Sequence, residues 1–291
     1  MSRKKSNRML WYERLLLNAV LFLWMMTWPV RVMLIRLNRL FGLEFVRRTE
    51  DRLQTPIDYY QRESDGRKIV VVGTMHVGLA SYYETLTKII NELEADHIIL
   101  YELVKAPSKE EMKSVSHDEQ RSNKKVRKAM ASFRRFICRL GLEDQKESLE
   151  YKASWINTDI SWKELSDLTE KSSDLILALA KFEASIKTRA ERKIGLALIA
   201  LIIGQMPLFD TLSPLLRLVS KKAAKQHAVI VEHRNDVAME AMLRHAETSH
   251  VATIWGAGHL PGLGTRLRKA GFRNISRQWH TAFIVPKVEI L

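Results

Sequence analysis

The chain has 291 residues, of which 46% are hydrophobic and 27% charged, a balance that excludes a disordered or fibrous protein and fits a globular one. Its formal net charge of +14 favours anionic partners, such as phospholipid headgroups or nucleic acid. Its one cysteine, Cys138, excludes an intrachain disulfide and so leaves the redox compartment open.

The first 48 residues carry more than half of this positive charge, with ten Lys and Arg against two Glu, a net charge of 10 − 2 = +8. Within them, the sixteen residues from Leu15 to Val30 contain no charge. A helix of that length spans about 24 Å, short of the roughly 30 Å hydrocarbon core of a bilayer. The pattern predicts a membrane-associating segment over residues 1–48, as an uncleaved anchor helix or an in-plane amphipathic helix, with an ordinary buried helix as the remaining alternative.

Two further features bear on this segment. No small-residue cleavage site follows the apolar run, which disfavours a cleaved signal peptide. Cations flank both ends of the run, so the side of the membrane on which the rest of the chain lies is not indicated. Residues 49–291 are predicted to form an α/β domain.

That domain begins with a strand, a turn, a helix and a strand. The β-branched run from Lys68 to Val72 predicts a buried strand, and it leads into GTMH at residues 73–76. The pattern from Tyr82 to Leu93 predicts a helix, and His97 to Leu103 predicts a second buried strand. Glu102 lies at the end of that strand, where a carboxylate is costly unless it is paired or bound to a metal.

The roughly 120 residues from 105 to 225 are predicted to form a mostly helical insert. Within it, Arg121 to Leu140 has eight basic residues and an apolar stripe at helical spacing, which predicts an amphipathic helix packed on the core or facing lipid. Nucleic-acid binding is disfavoured because this stretch has no base-reading motif. The apolar run from Ile194 to Phe209 has the length of a buried core helix rather than of a membrane span.

The C-terminal part repeats the first unit. His250 to Trp255 predicts a strand that leads into GAGH at residues 256–259. A helix is predicted from Gly262 to Ala270, and a closing strand lies within residues 273–285. The two Gly-x-x-His turns in matching contexts indicate a degenerate internal duplication.

The duplication predicts how the fold forms a site. It gives a mixed, mainly parallel central sheet built from two strand-Gly-x-x-His-helix-strand units. Because the carboxyl ends of parallel strands share one crevice, His76 and His259 are expected to meet there. Imidazole is the commonest metal ligand and Glu102 would complete the set, so a divalent ion is predicted, with manganese, cobalt and zinc not distinguished. Arg234, early in a helix predicted from Val229 to Ala246, is either a surface cation or a guanidinium fixed in the cleft.

The motifs together resemble those shared by the TraB/PrgY and Tiki proteins, which belong with the ChaN and erythromycin-esterase-like group. The matching segments are GTMH at 73–76, YEL at 101–103, EHRNDVAM at 232–239 and WGAGHLPGLGTRLRKAGF at 255–272. Residues 140–165 also resemble the family's linking region, in which a Gln and a Tyr precede a short polar turn.

The resemblance implies a metal-dependent hydrolase with His76, His259, Glu102 and Arg234 as its functional set. Tiki proteins carry out metal-dependent proteolysis at a membrane surface, whereas TraB and PrgY proteins are associated with shutting down a peptide pheromone. Tiki proteins carry a cleaved signal and a C-terminal membrane segment, whereas the apolar run here is at the N-terminus, so a different membrane topology is expected.

The expected function is therefore hydrolysis of a peptide or other acyl bond by a membrane-associated protein. Glu102 would bind the metal or take a proton from water, and Arg234 would stabilise the developing oxyanion. The alternative is a non-catalytic membrane-bound protein that binds or sequesters a peptide signal. Glu84, His280 and Asp159 could add a further metal contact, although each fits a structural role better.

Overall fold

The computed structural model describes residues 44–105, 134–161 and 228–285, together with the single residues 33, 36, 131, 164 and 196. The chain divides into two compact units, Met1–Glu44 and Phe45–Leu291. Among the described residues, no helix is both long enough and apolar enough to cross a bilayer. The apolar runs at Leu15–Val30 and Ile194–Phe209, and most of the predicted basic helix, lie outside the described residues.

The second unit is built around a seven-stranded mixed sheet. The described strands, in chain order, are β1 (Arg47–Arg48), β2 (Arg52–Arg62), β3 (Lys68–Thr74), β4 (Val77–Gly78), β5 (His97–Tyr101), β6 (Glu143–Asp144), β7 (Ile156–Asn157), β8 (His250–Gly256) and β9 (Phe272–Ile284). The sheet order is β1-β2-β3-β8-β5-β7 with β9 on β2, while β4 and β6 form a separate pair.

The centre of the sheet is parallel. Strand β8 pairs in parallel with both β3 and β5, and β5 pairs in parallel with β7. Strand β2 is antiparallel to β3 and β9. Residues 69–72 and 251–255 are buried without a break, as expected of parallel strands covered on both faces. The predicted mixed α/β sheet with a parallel centre is confirmed.

Helices cover the sheet with apolar faces at helical spacing. Helix α1 (Ala80–Leu93) follows β4, and α2 (Gln145–Ser148) is a single short turn after β6. Helix α3 (Arg234–Ala246) precedes β8, and α4 (Leu260–Lys269) lies between β8 and β9. In α4, Leu260, Leu263 and Leu267 are buried at spacings of three and four residues. Helices α1, α3 and α4 were predicted from their apolar periodicity, whereas the short turn α2 was not.

The start of α3 differs from a regular helix. Residues Ala228–His233 form a π-helical turn, and regular α-helix begins at Arg234. The predicted helix from Val229 to Ala246 thus begins as a π-helical turn and continues as an α-helix. The change comes at Arg234, which was predicted to be functional. Wide turns of this kind are rare and occur often at functional sites.

The described part of the insert, residues 134–161, contributes to the sheet as well as to helices. Strand β7 extends the parallel centre beside β5, and β6 pairs with β4 through Val77 and Asp144. The prediction of a mostly helical insert did not include these strands, which are too short to show an alternating pattern. At the end of the predicted basic helix, Ile137 and Leu140 are buried, so this end packs on the core.

Candidate functional site

Four parallel strands end at the same edge of the sheet, and each is followed by a polar side chain of one cluster. Thr74 of β3 pairs with Gly256 of β8, and Tyr101 of β5 pairs with Asn157 of β7. Beyond these ends come, in sheet order, His76, His259, Glu102 and Asp159. The carboxyl ends of parallel strands are where ligands bind in open α/β sheets, so this edge is the candidate site.

Glu102 lies at the centre of the cluster and is buried. Its Oε1 accepts a hydrogen bond of 2.5 Å from Nη2 of Arg234, and its Oε2 accepts one of 2.5 Å from the backbone N–H of Gly256. Nε2 of His259 is 3.8 Å from Oε1. Both carboxylate oxygens are therefore held by donors from other elements.

Arg234 is clamped between two carboxylates. Besides Glu102, it donates from Nε to Oδ1 of Asp159 at 2.9 Å and from Nη2 to Oδ2 at 2.7 Å. The Asp159 carboxylate also accepts from the backbone N–H of Ile160 at 2.8 Å. In all its described hydrogen bonds this carboxylate is the acceptor. The third nitrogen, Nη1 of Arg234, makes no hydrogen bond within the described part of the chain.

The ring of His259 is buried against the indole of Trp255. Its ring lies edge-on to Trp255, with ring centroids 5.0 Å apart. The Arg234 guanidinium lies 5.5 Å from the centroid of the same indole, and Trp255 is fully buried. Nδ1 of His259 is 2.8 Å from Oδ1 of Asn235. Trp255 thus keeps water from one side of the cluster while Asn235 holds the imidazole.

His76 is the exposed member of the cluster and is held by the linking segment. Its Nδ1 is 3.2 Å from Oε1 of Gln145, and its carbonyl oxygen accepts from the Gln145 backbone N–H at 3.0 Å. Nε2 of Gln145 in turn donates to the Tyr151 hydroxyl at 3.3 Å. The Gln and Tyr implied by the family resemblance therefore both lie at the site.

Glycines let the two turns approach closely. A Cβ on Gly73 would lie 2.6 Å from the carbonyl oxygen of Pro56, closer than real Cβ atoms come to any neighbour. A Cβ on Gly256 would lie 3.2 Å from Oε2 of Glu102 and 3.6 Å from Nε2 of His76. The first glycine is needed for the fold, and the second keeps the space between His76 and Glu102 open.

Burial and neighbouring charges shift the pKa values of three residues in the cluster. Burial raises the pKa of Glu102, but His259, Arg234, His76 and the Gly256 N–H outweigh it, so its pKa lies below the usual value and Glu102 is ionised. Burial lowers the pKa of His259 to about 4, so this imidazole is neutral at pH 7. Burial lowers and the carboxylates raise the pKa of Arg234, with a net rise, so the guanidinium stays charged. This guanidinium donates to the carboxylates of both Glu102 and Asp159.

The structure thus brings together all four residues predicted for the site. Asp159, predicted as a structural group, joins them as the partner of Arg234. His280 lies on β9, and Glu84 lies on the exposed face of α1 in an open cleft of about 730 Å³ that contains none of the four. Asn235 and Trp255 lie within the motif segments 232–239 and 255–272, but neither was predicted as a site residue.

The predicted metal ligands lie near one another but do not form a complete coordination site. Within the described ranges, no group of three or more His, Cys, Asp or Glu side chains is positioned to hold an ion. Both oxygens of Glu102 are engaged by Arg234 and Gly256, while the predicted ligand His76 is exposed.

Comparison with known proteins adds no relative. No family model, no curated protein and no solved structure matches this chain.

Proposed function

We propose that this chain is a metal-dependent hydrolase that cuts a peptide or other acyl bond at the carboxyl edge of its parallel sheet. The observation that carries the proposal is the convergence of His76, His259 and Glu102, which follow the ends of three different strands and lie beside the buried Arg234–Asp159 pair. The resemblance to the TraB/PrgY and Tiki proteins supports the same reading.

The donor types suit a divalent transition metal, although the described side chains are not already arranged as a group of three ligands. Two imidazoles and one carboxylate are ligands that catalytic zinc and related ions take in hydrolases, with a position left for water. Nε2 of His259, whose pKa burial lowers to about 4, lies 3.8 Å from Oε1 of Glu102, so a lone pair and a carboxylate oxygen would both face a bound cation. When bound, such an ion would polarise the scissile carbonyl and lower the pKa of water.

The side chains of the cluster have separable roles. Glu102, whose pKa lies below the usual value, stands next to the two imidazoles, where it would either bind the ion or take a proton from the attacking water. Arg234 holds Glu102 through Nη2, and its Nη1 can donate to an oxyanion. Asp159 fixes the guanidinium through two bonds, and Trp255 excludes water from one side. No nucleophilic Ser or Cys is required.

The competing function is peptide binding without cleavage. The test uses the full chain in detergent, with mixed fluorogenic peptides and p-nitrophenyl esters as probes. We expect a chelator to abolish hydrolysis, one divalent ion to restore it, and Glu102→Gln to prevent it. Glu84→Gln, an exposed carboxylate on α1, is the matched control and should hydrolyse normally. Hydrolysis that survives chelation, or peptide binding with no cleavage of any probe, would contradict the proposal.

A membrane location is a second proposal. It rests on the basic and apolar segment over residues 1–48, most of which lies outside the described residues. Lipid headgroups would meet its cations, and the apolar run would enter the bilayer or lie in its interface.

A further inference from the structure

The two Gly-x-x-His histidines are held in the same way by different elements. Nδ1 of His76 meets Oε1 of Gln145 at 3.2 Å, and Nδ1 of His259 meets Oδ1 of Asn235 at 2.8 Å. Gln145 and Asn235 are buried, and they come from α2 and α3, neither of which carries a histidine of the pair. An amide oxygen therefore faces the same ring atom in both halves of the duplication.

This contact decides which ring nitrogen carries the hydrogen. A neutral imidazole has one N–H and one lone pair, and an amide oxygen can only accept. Each Nδ1 must then carry the hydrogen, which leaves the lone pair on Nε2. In both rings Nε2 is the atom on the Glu102 side, 3.8 Å from Oε1 for His259 and beside the space over Gly256 for His76.

We propose that Gln145 and Asn235 are positioning residues that lock both histidines in the Nδ1–H tautomer, so that two lone pairs converge beside Glu102. Ligating histidines commonly donate their second N–H to such a partner, which fixes the ring and raises its basicity. The tautomers do not depend on the proposed hydrolysis. The expected effect on metal affinity does rest on it.

The position of each amide is set independently of its histidine. The Gln145 backbone N–H is bonded to the His76 carbonyl, and β4 pairs with β6 immediately before it. Asn235 follows the clamped Arg234 on α3, and its Nδ2 would lie 2.3 Å from a Cβ on Gly262. Among the described residues, that Nδ2 is buried with no hydrogen-bond partner. Asn235 is thus held by packing, and its one described polar contact is to His259.

The opposite orientation of each amide gives the opposite result. If the amide NH₂ groups faced the rings, each Nδ1 would accept and Nε2 would carry the hydrogen. Nε2–H of His259 would then point at Oε1 of Glu102 from 3.8 Å, too far for a hydrogen bond. Each orientation therefore leaves one bond unmade, at Nδ2 of Asn235 in the proposed one and at Nε2–H of His259 in the opposite one, and the two differ in which tautomer faces Glu102.

Imidazole ¹⁵N NMR on the metal-free full chain at pH 8 tests the proposal, with His→Gln variants assigning the signals. The chain contains its own calibrators. Nδ1 of His97 faces the Leu93 carbonyl oxygen at 3.2 Å, so His97 is Nδ1–H. Nδ1 of His250 accepts from the Lys68 backbone N–H at 3.2 Å, so His250 is Nε2–H. We expect His76 and His259 to match His97. A match to His250 would overturn the proposal.

Variants supply a second reading. Asn235→Asp and Gln145→Glu keep the acceptor and should keep the Nδ1–H signals, whereas the opposite orientation predicts a switch of tautomer in these variants. Asn235→Leu and Gln145→Leu should lose the signals and weaken Zn²⁺ binding about 10- to 100-fold in competition with a chromophoric chelator. Correct tautomers with unchanged Zn²⁺ affinity in the Leu variants would overturn the positioning role. If the tautomers and the Zn²⁺ affinities are as expected but no probe is cleaved, only the hydrolase proposal is refuted.

Discussion

Removal of the Asp159 carboxylate should destabilise the fold far more than loss of an average ion pair. The Asp159 side chain is 0% exposed and that of Arg234 is 9% exposed. Asp159→Ala deletes two of the three bonds that Arg234 makes to carboxylates, and it leaves the Ile160 N–H without its acceptor. Breaking a buried pair by removing one partner costs about 3–5 kcal/mol. For a domain of this size the midpoint of thermal unfolding should fall by roughly 6–20 °C.

The assay is urea unfolding followed by circular dichroism, with calorimetry for the midpoint. Glu63→Gln is the matched control, because Glu63 pairs with Arg273 at 3.4 Å while both side chains are more than 70% exposed, and it should cause no measurable loss. Asp159→Asn should fall between the two, since it keeps the shape and one acceptor. If Asp159→Ala unfolds within about 1 kcal/mol of the unsubstituted protein, Arg234 is not the buried cation described here.

Three further predictions follow from the same structure. Metal-free protein should gain about 3 kcal/mol of stability as the pH rises from about 4 to 6.5. The pKa of His259 is about 4 in the folded protein and ordinary in the unfolded chain, so over this range only the unfolded chain binds the proton. A pH profile of stability that is unchanged in His259→Gln would contradict this. Gly256→Ala should weaken Zn²⁺ binding and change the free energy of unfolding by less than about 1 kcal/mol. Gly73→Ala should lower the free energy of unfolding by roughly 1–3 kcal/mol, because its Cβ would lie 2.6 Å from a backbone oxygen. Equal losses of stability in the two variants would refute the distinction. The full chain should float with vesicles that contain anionic lipid, and a chain without residues 1–43 should not; a full chain that stays in the lipid-free fractions would contradict the membrane proposal.

Much of the site was predictable because its signals are local. Each histidine follows a buried strand by three residues across a glycine turn, and Glu102 interrupts an apolar run. A parallel sheet then brings strand ends together without further information. The sheet order, with β8 between β3 and β5, makes these three groups neighbours.

The remaining parts depend on contacts that a single sequence does not show. Asp159 meets Arg234 across 75 residues of chain, and Asn235 reaches His259 only because α3 packs beside α4. Strand β2 contains Pro56 and Asp58, which disfavour a buried strand. The structure accommodates the charge because Asp58 pairs with Arg277 of β9 at 2.5 and 2.7 Å.

The most direct test of metal-dependent chemistry at this site is metal content by elemental mass spectrometry on the purified full chain. The comparison is with a His76→Ala, His259→Ala double variant, each sample measured before and after incubation with manganese, cobalt and zinc. A near-stoichiometric ion in the unsubstituted chain that is absent from the double variant is the expected result. Two proteins that remain equally free of metal after incubation would contradict the proposed hydrolase.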